Sequence, residues 1–311
     1  MASALHAATV ILLALALDLL LGDPPNRLHP VAWVGRLLAA GRRGLCHGGA
    51  WRLLLSGGAL TLAVTALAAA AGALAATLAA ALGPAGVVVE AAALKAAIAP
   101  RGLVSAARSV GEALARGALD EARGLLGLHL VSRPTSALGA GEVASGVVES
   151  VAENLTDAVV APVVFFLVLG LPGALAYRAL NTADTMLGYR EGPLEHFGKV
   201  AARLDDVANL LPARLAALAL VVAAGRRSRA AWSIVSRDRA RTSSPNAGWT
   251  MSAMAGALAV TLVKRTAYRL GDGPLPCHAD IERSIPLFRR AGTLAIATLL
   301  ALHALVRKAL L

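Results

Sequence analysis

The sequence predicts an all-α, polytopic helical integral membrane protein with four to six membrane segments, accompanied by amphipathic and re-entrant helices. Three observations predict it. Hydrophobic residues fill 57% of the 311 positions and charged residues only 16%, outside the usual range of a soluble domain. Several apolar runs approach or reach the roughly 20 residues that a helix needs to cross the hydrocarbon core. The net charge of +11 is spread over the connections between those runs, where Lys and Arg ordinarily mark the cytoplasmic side. No zinc-ligand spacing, aromatic RNA-binding motif or concentrated basic helix accompanies this charge, so nucleic acid is not the expected partner.

Residues 5–21 hold one acid, Asp18. No Lys or Arg precedes them and no small-residue cleavage site follows before Gly22-Asp23-Pro24-Pro25, so a retained membrane segment is expected rather than a secretory signal. The next connection carries Arg27, Arg36, Arg42, Arg43 and Arg52, which places it in the cytoplasm and the amino terminus outside. Residues 53–82 are uncharged and form the clearest span, and the Ala-rich, Gly-dotted sequence up to position 99 suits closely packed membrane helices. From 103 to 130, Arg108, Glu112, Arg116, Asp120 and Arg123 recur at helical spacing, the pattern of a solvated helix face. After Gly139, Gly141 and Gly146 comes "VVESVAENLTDAVVAPVVFF", which leads into a second uncharged run, 158–176. Polar sequence returns from 181 to 209, and Pro212, a favourable first-turn residue, opens a shorter apolar run at 215–224.

A basic connection follows, with Arg226, Arg227, Arg229, Arg237, Arg239 and Arg241. A loop near 241–248, a further apolar segment, a Pro/Gly-rich linker at 271–276 and a last apolar run at 291–306 complete the chain. Nearly every connection is basic, so strict alternation of sides fails and some apolar segments are expected to dip in or lie flat. No internal repeat divides the sequence, and residues 1–311 are expected to form one membrane domain. Cys46 and Cys277 lack ligand-type spacing and read as unpaired thiols.

Three polar clusters stand out against this apolar background. Glu149, Glu153 and Asp157 are four residues apart and share one face of a helix, with Asn154 one position round. No Lys or Arg lies between Arg133 and Arg178, so their compensating charge must come from another segment, a bound Mg²⁺, protonation or water. Acids of this kind beside a membrane often mark functional sites. In "YRALNTADTMLGYR", Asn181 and Asp184 are one helical turn apart and can meet one hard cation. In "AARLDDVANLLPARL", Asp205 and Asp206 stand one turn before Asn209, with Arg203 and Arg214 nearby. Oxygen ligands suit Mg²⁺, which keeps several waters and bridges a few carboxylates to substrate phosphates.

Anion-binding elements accompany the acids. Arg237, Arg239 and Arg241 precede "TSSPNAG", where Ser244, Pro245, Asn246 and Gly248 have the turn chemistry to present N–H groups to a phosphate. "LGDPPNRLHPVAWVG" sets Asp23, Asn26, Arg27 and His29 in a rigid Pro-rich turn just past the first apolar run. There is no Gly-x-Ser-x-Gly, no Cys/His arrangement and no Walker lysine. Such residues suit electrostatic work on phosphates: carboxylates to hold Mg²⁺, Arg or Lys to stabilise charge that develops in phosphoryl or nucleotidyl transfer.

The motifs "GDPPNRLHP", "ESVAENLTDAVVAP", "ALAYRALNTADTMLGYR", "FGKVAARLDDVANLLPARL" and "SPNAGWTMSAMAGAL", in this order and spacing, resemble the CbiB/CobD family of cobalamin biosynthesis. These are the membrane-bound adenosylcobinamide-phosphate synthases. The resemblance runs from about residue 18 to 258. It implies ATP-dependent amide formation in which the free propionate of adenosylcobyric acid is joined to (R)-1-aminopropan-2-ol or its O-phosphate. ATP and Mg²⁺ are the implied cofactors. Other late cobalamin-assembly membrane enzymes and a second copy of the chain are further implied partners, alongside the lipid bilayer. The implied location is multi-pass in the cytoplasmic (inner) cell membrane.

On this basis Glu153, Asp157, Asp184, Asp205 and Asp206 are the expected catalytic carboxylates, and Glu153, Asp157, Asp184 and Asp205 the expected metal ligands. Asp23, Arg27, His29, Glu149, Asn154, Asn181, Lys199, Arg203, Asn209, Arg214, Ser244 and Asn246 are expected to bind substrate or ATP, with Glu149 holding a basic group. Two departures from the pattern are evident. Arg133-Pro134-Thr135 stands where an Arg-Asp-Thr triplet is expected, and Lys264 and Arg265 stand where a Gly-rich stretch is expected. Two other functions remain open on the residues. A Mg-dependent prenyltransferase would show paired Asp-rich clusters and an apolar tunnel, and a non-enzymatic membrane sensor or regulator is suggested by the AmpE proteins, which share part of this pattern.

Overall fold

The computed structural model of the chain describes residues 2–25, 27–265 and 267–309. Asn26, of the Pro-rich turn, lies outside them. Helix α1, Ala2–Leu21, is largely apolar, with His6 and Asp18 as its ionisable residues, and stops at Gly22, whose φ of 68° leaves the helix before the two prolines. Helix α2, Pro30–Leu45, starts with proline, and the His29 side chain caps it by accepting the Val31 N–H at 3.2 Å. Helix α3, Ala50–Ala81, is a 32-residue apolar rod, and α4, Gly86–Lys95, follows after a short 3₁₀ turn. The amphipathic pattern forms α5, Pro100–Ala115, and α6, Leu119–His129. Helix α7, Ala140–Leu155, carries the acidic stripe, passes through a π turn at Thr156–Val160 and continues as α8, Ala161–Leu187.

Beyond it lie α9 (Leu194–Phe197), α10 (Lys199–Ala208), α11 (Leu210–Ala223), α12 (Ser228–Asp238) and α13 (Ala247–Leu258). A small antiparallel hairpin pairs β1, Leu262–Lys264, with β2, Tyr268–Leu270, in the register Leu262 to Leu270 and Lys264 to Tyr268. Helix α14, His278–Ala309, ends the described chain.

Among the described residues four stretches are long and apolar enough to cross a membrane: Ala4–Leu21, Ala50–Ala81, Ala140–Leu187 and His278–Ala309. There are five if Lys199–Ala208 and Leu210–Ala223 count as one broken span. Their outer surfaces fit that reading. On α3, Leu55, Leu62, Leu67, Leu74 and Leu78 are all exposed, a contiguous apolar face that hydrocarbon covers and water would not.

The apolar run 158–176 is not the unbroken helix that its composition suggests. At Gly170 the backbone has φ 66° and ψ −160°, a region open essentially to glycine alone, and Pro172 follows. The Phe165 ring stacks on Tyr177 with centroids 5.0 Å apart and planes at 13°. Twelve residues of straight helix would separate the two by about 18 Å. The chain therefore folds back at Gly170, and α8 is two half-helices, a re-entrant turn in place of a simple crossing.

Two compact units emerge, one of residues 1–99, 161–209 and 299–311, the other of residues 100–160 and 210–298. In the first, α3 packs along α8 around a core of Leu38, Leu53, Val64, Ala179, Ala183, Leu187, Phe197 and Ala201. In the second, α7 is the central element, buried at every position from Val143 to Ala152, with α5, α6, α13 and β1 around it. Small residues on α7 and α13 let those backbones pack closely.

Candidate functional site

The first unit holds two polar clusters. Where α1 ends, Lys95 of α4 brings its Nζ 2.7 Å from Asp23 Oδ1 and 3.8 Å from Asp18 Oδ1, and the Asp18 side chain is wholly buried. His29 Nε2 lies 3.4 Å from the same Asp23 oxygen. Because His29 Nδ1 accepts the Val31 N–H, a neutral ring carries its proton on Nε2, directed at Asp23. The His29 hydrogen bond, with Lys95 adding to it and burial opposing it, holds the Asp23 carboxyl down at about 2. The Arg27 side chain is exposed, and its carbonyl accepts the Trp33 indole N–H at 2.8 Å. Lys95 was not among the expected site residues, although a lone lysine within the apolar residues 82–99 is itself a signal of function.

The second cluster joins α8 to α10. Asp205, 8% exposed, accepts from Asn181 Nδ2 at 3.3 Å on one oxygen and from Asn209 Nδ2 at 3.0 Å on the other. Tyr177 donates its hydroxyl to Asn209 Oδ1 at 2.9 Å, and Arg178 Nη1 donates to Asn181 Oδ1 at 3.2 Å. These amides hold Asp205 by both oxygens and fix its orientation. Asp184, one turn beyond Asn181, is partly buried and faces the like charges of Asp205 and Asp206. Three carboxylates lie near one another here, and neutral amides orient one of them, Asp205; such a group suits a cation. Lys199 is not part of that cluster: it pairs with Glu195 at 3.2 Å near the surface, and Arg203 is exposed.

In the second unit the acidic stripe divides. Glu149 is 5% exposed and accepts from Ser145 Oγ at 2.7 Å, Tyr268 Oη at 2.9 Å and Arg133 Nη2 at 3.2 Å. Its compensating charge is thus Arg133, of the Arg-Pro-Thr triplet, and its third donor comes from β2. Burial, followed by the Glu149 and Glu153 charges, raises the Tyr268 hydroxyl well above its usual range, so it stays a donor. Asn154 turns its amide back onto Ser150 of its own helix, at 2.9 Å from the carbonyl oxygen. Glu153 and Asp157 are half-buried, and Asp157 sits on the π turn, a wide i→i+5 turn of the kind that recurs at functional sites. The departing Lys264-Arg265 segment is the hairpin itself. Its Val263 N–H donates to Ser145 Oγ at 2.7 Å and Arg265 pairs with Glu142 of α7, so the hairpin is strapped onto α7.

The Ser-Pro-Asn-Ala-Gly loop closes against two arginines. Arg214 Nη1 donates to Asn246 Oδ1 at 2.6 Å and to the Leu210 carbonyl at 2.8 Å, and the Asn246 N–H donates to Ser244 Oγ at 3.2 Å. Gly248 stands in the first turn of α13, and a Cβ there would lie 2.1 Å from the Arg239 carbonyl oxygen. The helix can therefore start hard against that strand of backbone. The guanidinium carbons of Arg214 and Arg239 lie 4.9 and 5.1 Å from the centroid of the Trp249 ring. Asp238, fully buried, takes Arg237 by both oxygens at 2.7 and 2.8 Å, Arg241 at 3.2 Å and the Gly271 N–H at 2.8 Å. Burial alone would raise its pKa. The hydrogen bonds from Arg237 and Gly271 and the charges of Arg237 and Arg241 outweigh that and hold the carboxyl below its usual range. Asp238 sits between Arg237 and Arg241, a local pairing that the sequence reading passed over, and Trp249, although inside a quoted motif, meets arginines of other elements that spacing does not connect.

Fold and clusters together define a class: a helical membrane protein whose polar groups are gathered into oxygen-ligand and guanidinium sites suited to charged substrates. Comparison with known proteins gives the family. The family model described as CobD/Cbib protein matches residues 11–288, and the chain belongs to that family. The cobalamin biosynthesis protein CobD of Dehalococcoides mccartyi (strain CBDB1) is 41% identical over 288 residues, which cover 91% of this chain and 93% of that protein. The probable cobalamin biosynthesis protein CobD of Methanothermobacter thermautotrophicus is 40% identical over 303 residues, 94% and 96% of the two chains. The protein of the same name in Chromobacterium violaceum is 41% identical over 317 residues, 97% and 98%. No solved structure matches the chain.

Proposed function

We propose that the chain works in cobalamin biosynthesis, in the cytoplasmic membrane, as an ATP-dependent amide synthase. It would join the free propionate of adenosylcobyric acid to (R)-1-aminopropan-2-ol or its O-phosphate. The observation that carries this reading is the match along nearly the whole chain to the CobD/Cbib family and to relatives named for cobalamin biosynthesis at about 40% identity.

The chemistry follows from the substrates. A carboxylate is a poor electrophile. Its oxygen attacks the terminal phosphorus of ATP, ADP leaves, and the resulting acyl phosphate is attacked by the amine nitrogen. The amide C–N bond forms, inorganic phosphate departs, and the amine gives up a proton.

Among the described residues no three His, Cys, Asp or Glu side chains converge to hold a metal by themselves. Mg²⁺ takes one or two carboxylates and completes its shell with water and phosphate oxygens, so it does not require such a cluster. Each unit offers hard oxygen donors for this: Asp184 beside Asp205 and Asp206 in one, Glu153 and Asp157 in the other. When bound, Mg²⁺ screens the phosphate charge against the incoming oxygen. The neighbouring groups orient these acids, with Asn181 and Asn209 on Asp205, and with Ser145, Tyr268 and Arg133 securing Glu149 one turn before Glu153.

The test is the reaction. Detergent-solubilised full chain is given adenosylcobyric acid, MgATP and either amine, with mass detection of products. The expected result is adenosylcobinamide or its phosphate with ADP and phosphate. AMP and pyrophosphate would identify an acyl-adenylate route instead, and no amide product with either amine would overturn the function.

A further inference from the structure

Four arginines gather around the Ser-Pro-Asn-Ala-Gly loop, and the fold treats them in two ways. Arg237 and Arg241 are neutralised. Asp238 takes both, and Asp272 adds a second carboxylate to Arg237 at 2.8 Å. Arg214 and Arg239 receive neutral acceptors only. Arg214 is oriented by Asn246 Oδ1, the Leu210 carbonyl and the Pro245 carbonyl, and Arg239 by the Ser236 carbonyl at 2.6 Å. Among the described residues neither guanidinium is within ion-pair distance of a carboxylate, although Asp238 adjoins Arg239 in the chain. Both lie over the same Trp249 ring, so their guanidinium carbons are no more than about 10 Å apart. Two like charges at such a distance repel, and a fold that needed only packing would have spent a nearby carboxylate on one of them. Both groups are partly exposed, as is Trp249, so a ligand can reach them.

We propose that Arg214 and Arg239, braced on Trp249, form a clamp for a phosphate dianion. Each guanidinium presents a planar fork that fits phosphate oxygens, and the indole limits how far either can turn away. Asn246 acts as a positioning residue, through Arg214. The clamp singles out Arg239 from the three alternating arginines and makes Trp249 a binding residue, a role that the motif pattern does not give it. Its physiological ligand rests on the reading above, which supplies two phosphate-bearing small molecules, ATP and the phosphorylated amine. The clamp itself rests on its own geometry.

The test uses the full chain in nanodiscs of zwitterionic lipid, with Trp33, Trp51 and Trp232 changed to Phe so that Trp249 alone reports. Inorganic phosphate, aminopropanol O-phosphate, aminopropanol and ATP are titrated separately. The three phosphate-bearing probes are expected to change Trp249 fluorescence saturably and aminopropanol to leave it unchanged, and the tighter of ATP and the phosphorylated amine identifies the ligand. Arg239→Gln and Arg214→Gln should each weaken phosphate binding about tenfold or more, while Arg239→Lys, which keeps the charge and loses the fork, should fall between. Circular dichroism and gel filtration check that the variants fold, and the titration of the unsubstituted clamp stands without them.

The proposal is overturned if no phosphate-bearing probe produces a saturable response, or if folded Arg239→Gln binds phosphate as tightly as its parent. It is also overturned if only nanodiscs of anionic lipid produce the response, which would make the clamp a headgroup site. A saturable phosphate response in a protein that forms no amide would keep the clamp and remove the proposed reaction.

Discussion

At the scale of single residues, the acidic stripe separates into one buried member enclosed by donors and two half-buried members. Glu149 is enclosed by three donors, one of them the Arg133 guanidinium, and is itself the more buried side of that ion pair. Glu149→Gln removes the carboxylate that this partly exposed guanidinium pairs with and weakens the three hydrogen bonds, and the expected cost is about 1–3 kcal/mol of stability, read as a lower unfolding temperature in detergent. Glu153→Gln has the opposite profile. Glu153 is half-buried, so the variant should keep its melting temperature while condensation falls by about 100-fold or more. Near-normal turnover would remove Glu153 from the site. Asp23 adds a pH dependence. Its pKa is depressed to about 2 from an ordinary 3.8, so its contribution is present above pH 3.8 and is lost as the pH falls through 2. Melting temperatures followed from pH 5 to 2 should show a loss at the acid end that Asp23→Asn no longer shows. The acids and amides of these clusters were legible because carboxylates in an apolar background are conspicuous. Their partners were not. Tyr268 reaches Glu149 across 119 positions and Lys95 reaches Asp23 across 72, and no spacing rule connects such pairs.

At the scale of elements, composition located the long helices well, because a run such as 53–82 has no alternative to burial in lipid or protein. It did not reveal the reversal within 158–176. Hydropathy averages over a window, whereas the break rests on one glycine whose backbone angles other residues resist, followed by Pro172. Two glycines test this with opposite signs. Gly170→Ala should destabilise by about 1–3 kcal/mol, since a Cβ is strained at φ 66° whatever space surrounds it. Gly44, inside α2 with open space where a Cβ would be, should become more stable by about 0.5–1 kcal/mol as Ala. Thermal unfolding of the two variants in the same detergent measures both. Equal effects would mean that the reversal at Gly170 tolerates ordinary backbone and is not what holds Phe165 against Tyr177. The hairpin escaped the sequence reading for a related reason. Leu262–Lys264 and Tyr268–Leu270 are three residues each, too short for a periodic signal, and they are held by side chains of α7 as much as by each other.

At the scale of the whole molecule, the charge bias predicts an orientation. The connection between α1 and α3 contains Arg27, Arg36, Arg42 and Arg43 against the single acid Asp23, and Arg52 stands in the first turn of α3, a bias of the kind that favours the cytoplasmic side. The apolar helices on either side, α1 and α3, are exposed over most of their length, which leaves much of their surface for lipid to cover. Cys46 reports on the orientation directly. It lies at the end of α2 beside Arg42 and Arg43 and is a free, partly exposed thiol. With Cys277 changed to Ser, a membrane-impermeant maleimide should leave Cys46 unmodified in intact spheroplasts and modify it in inverted vesicles. The opposite pattern would reverse the orientation. It would also set Asp23 and His29 on the side of the membrane that lacks ATP, and so remove that cluster from any ATP-dependent step while leaving its role in capping α2 intact.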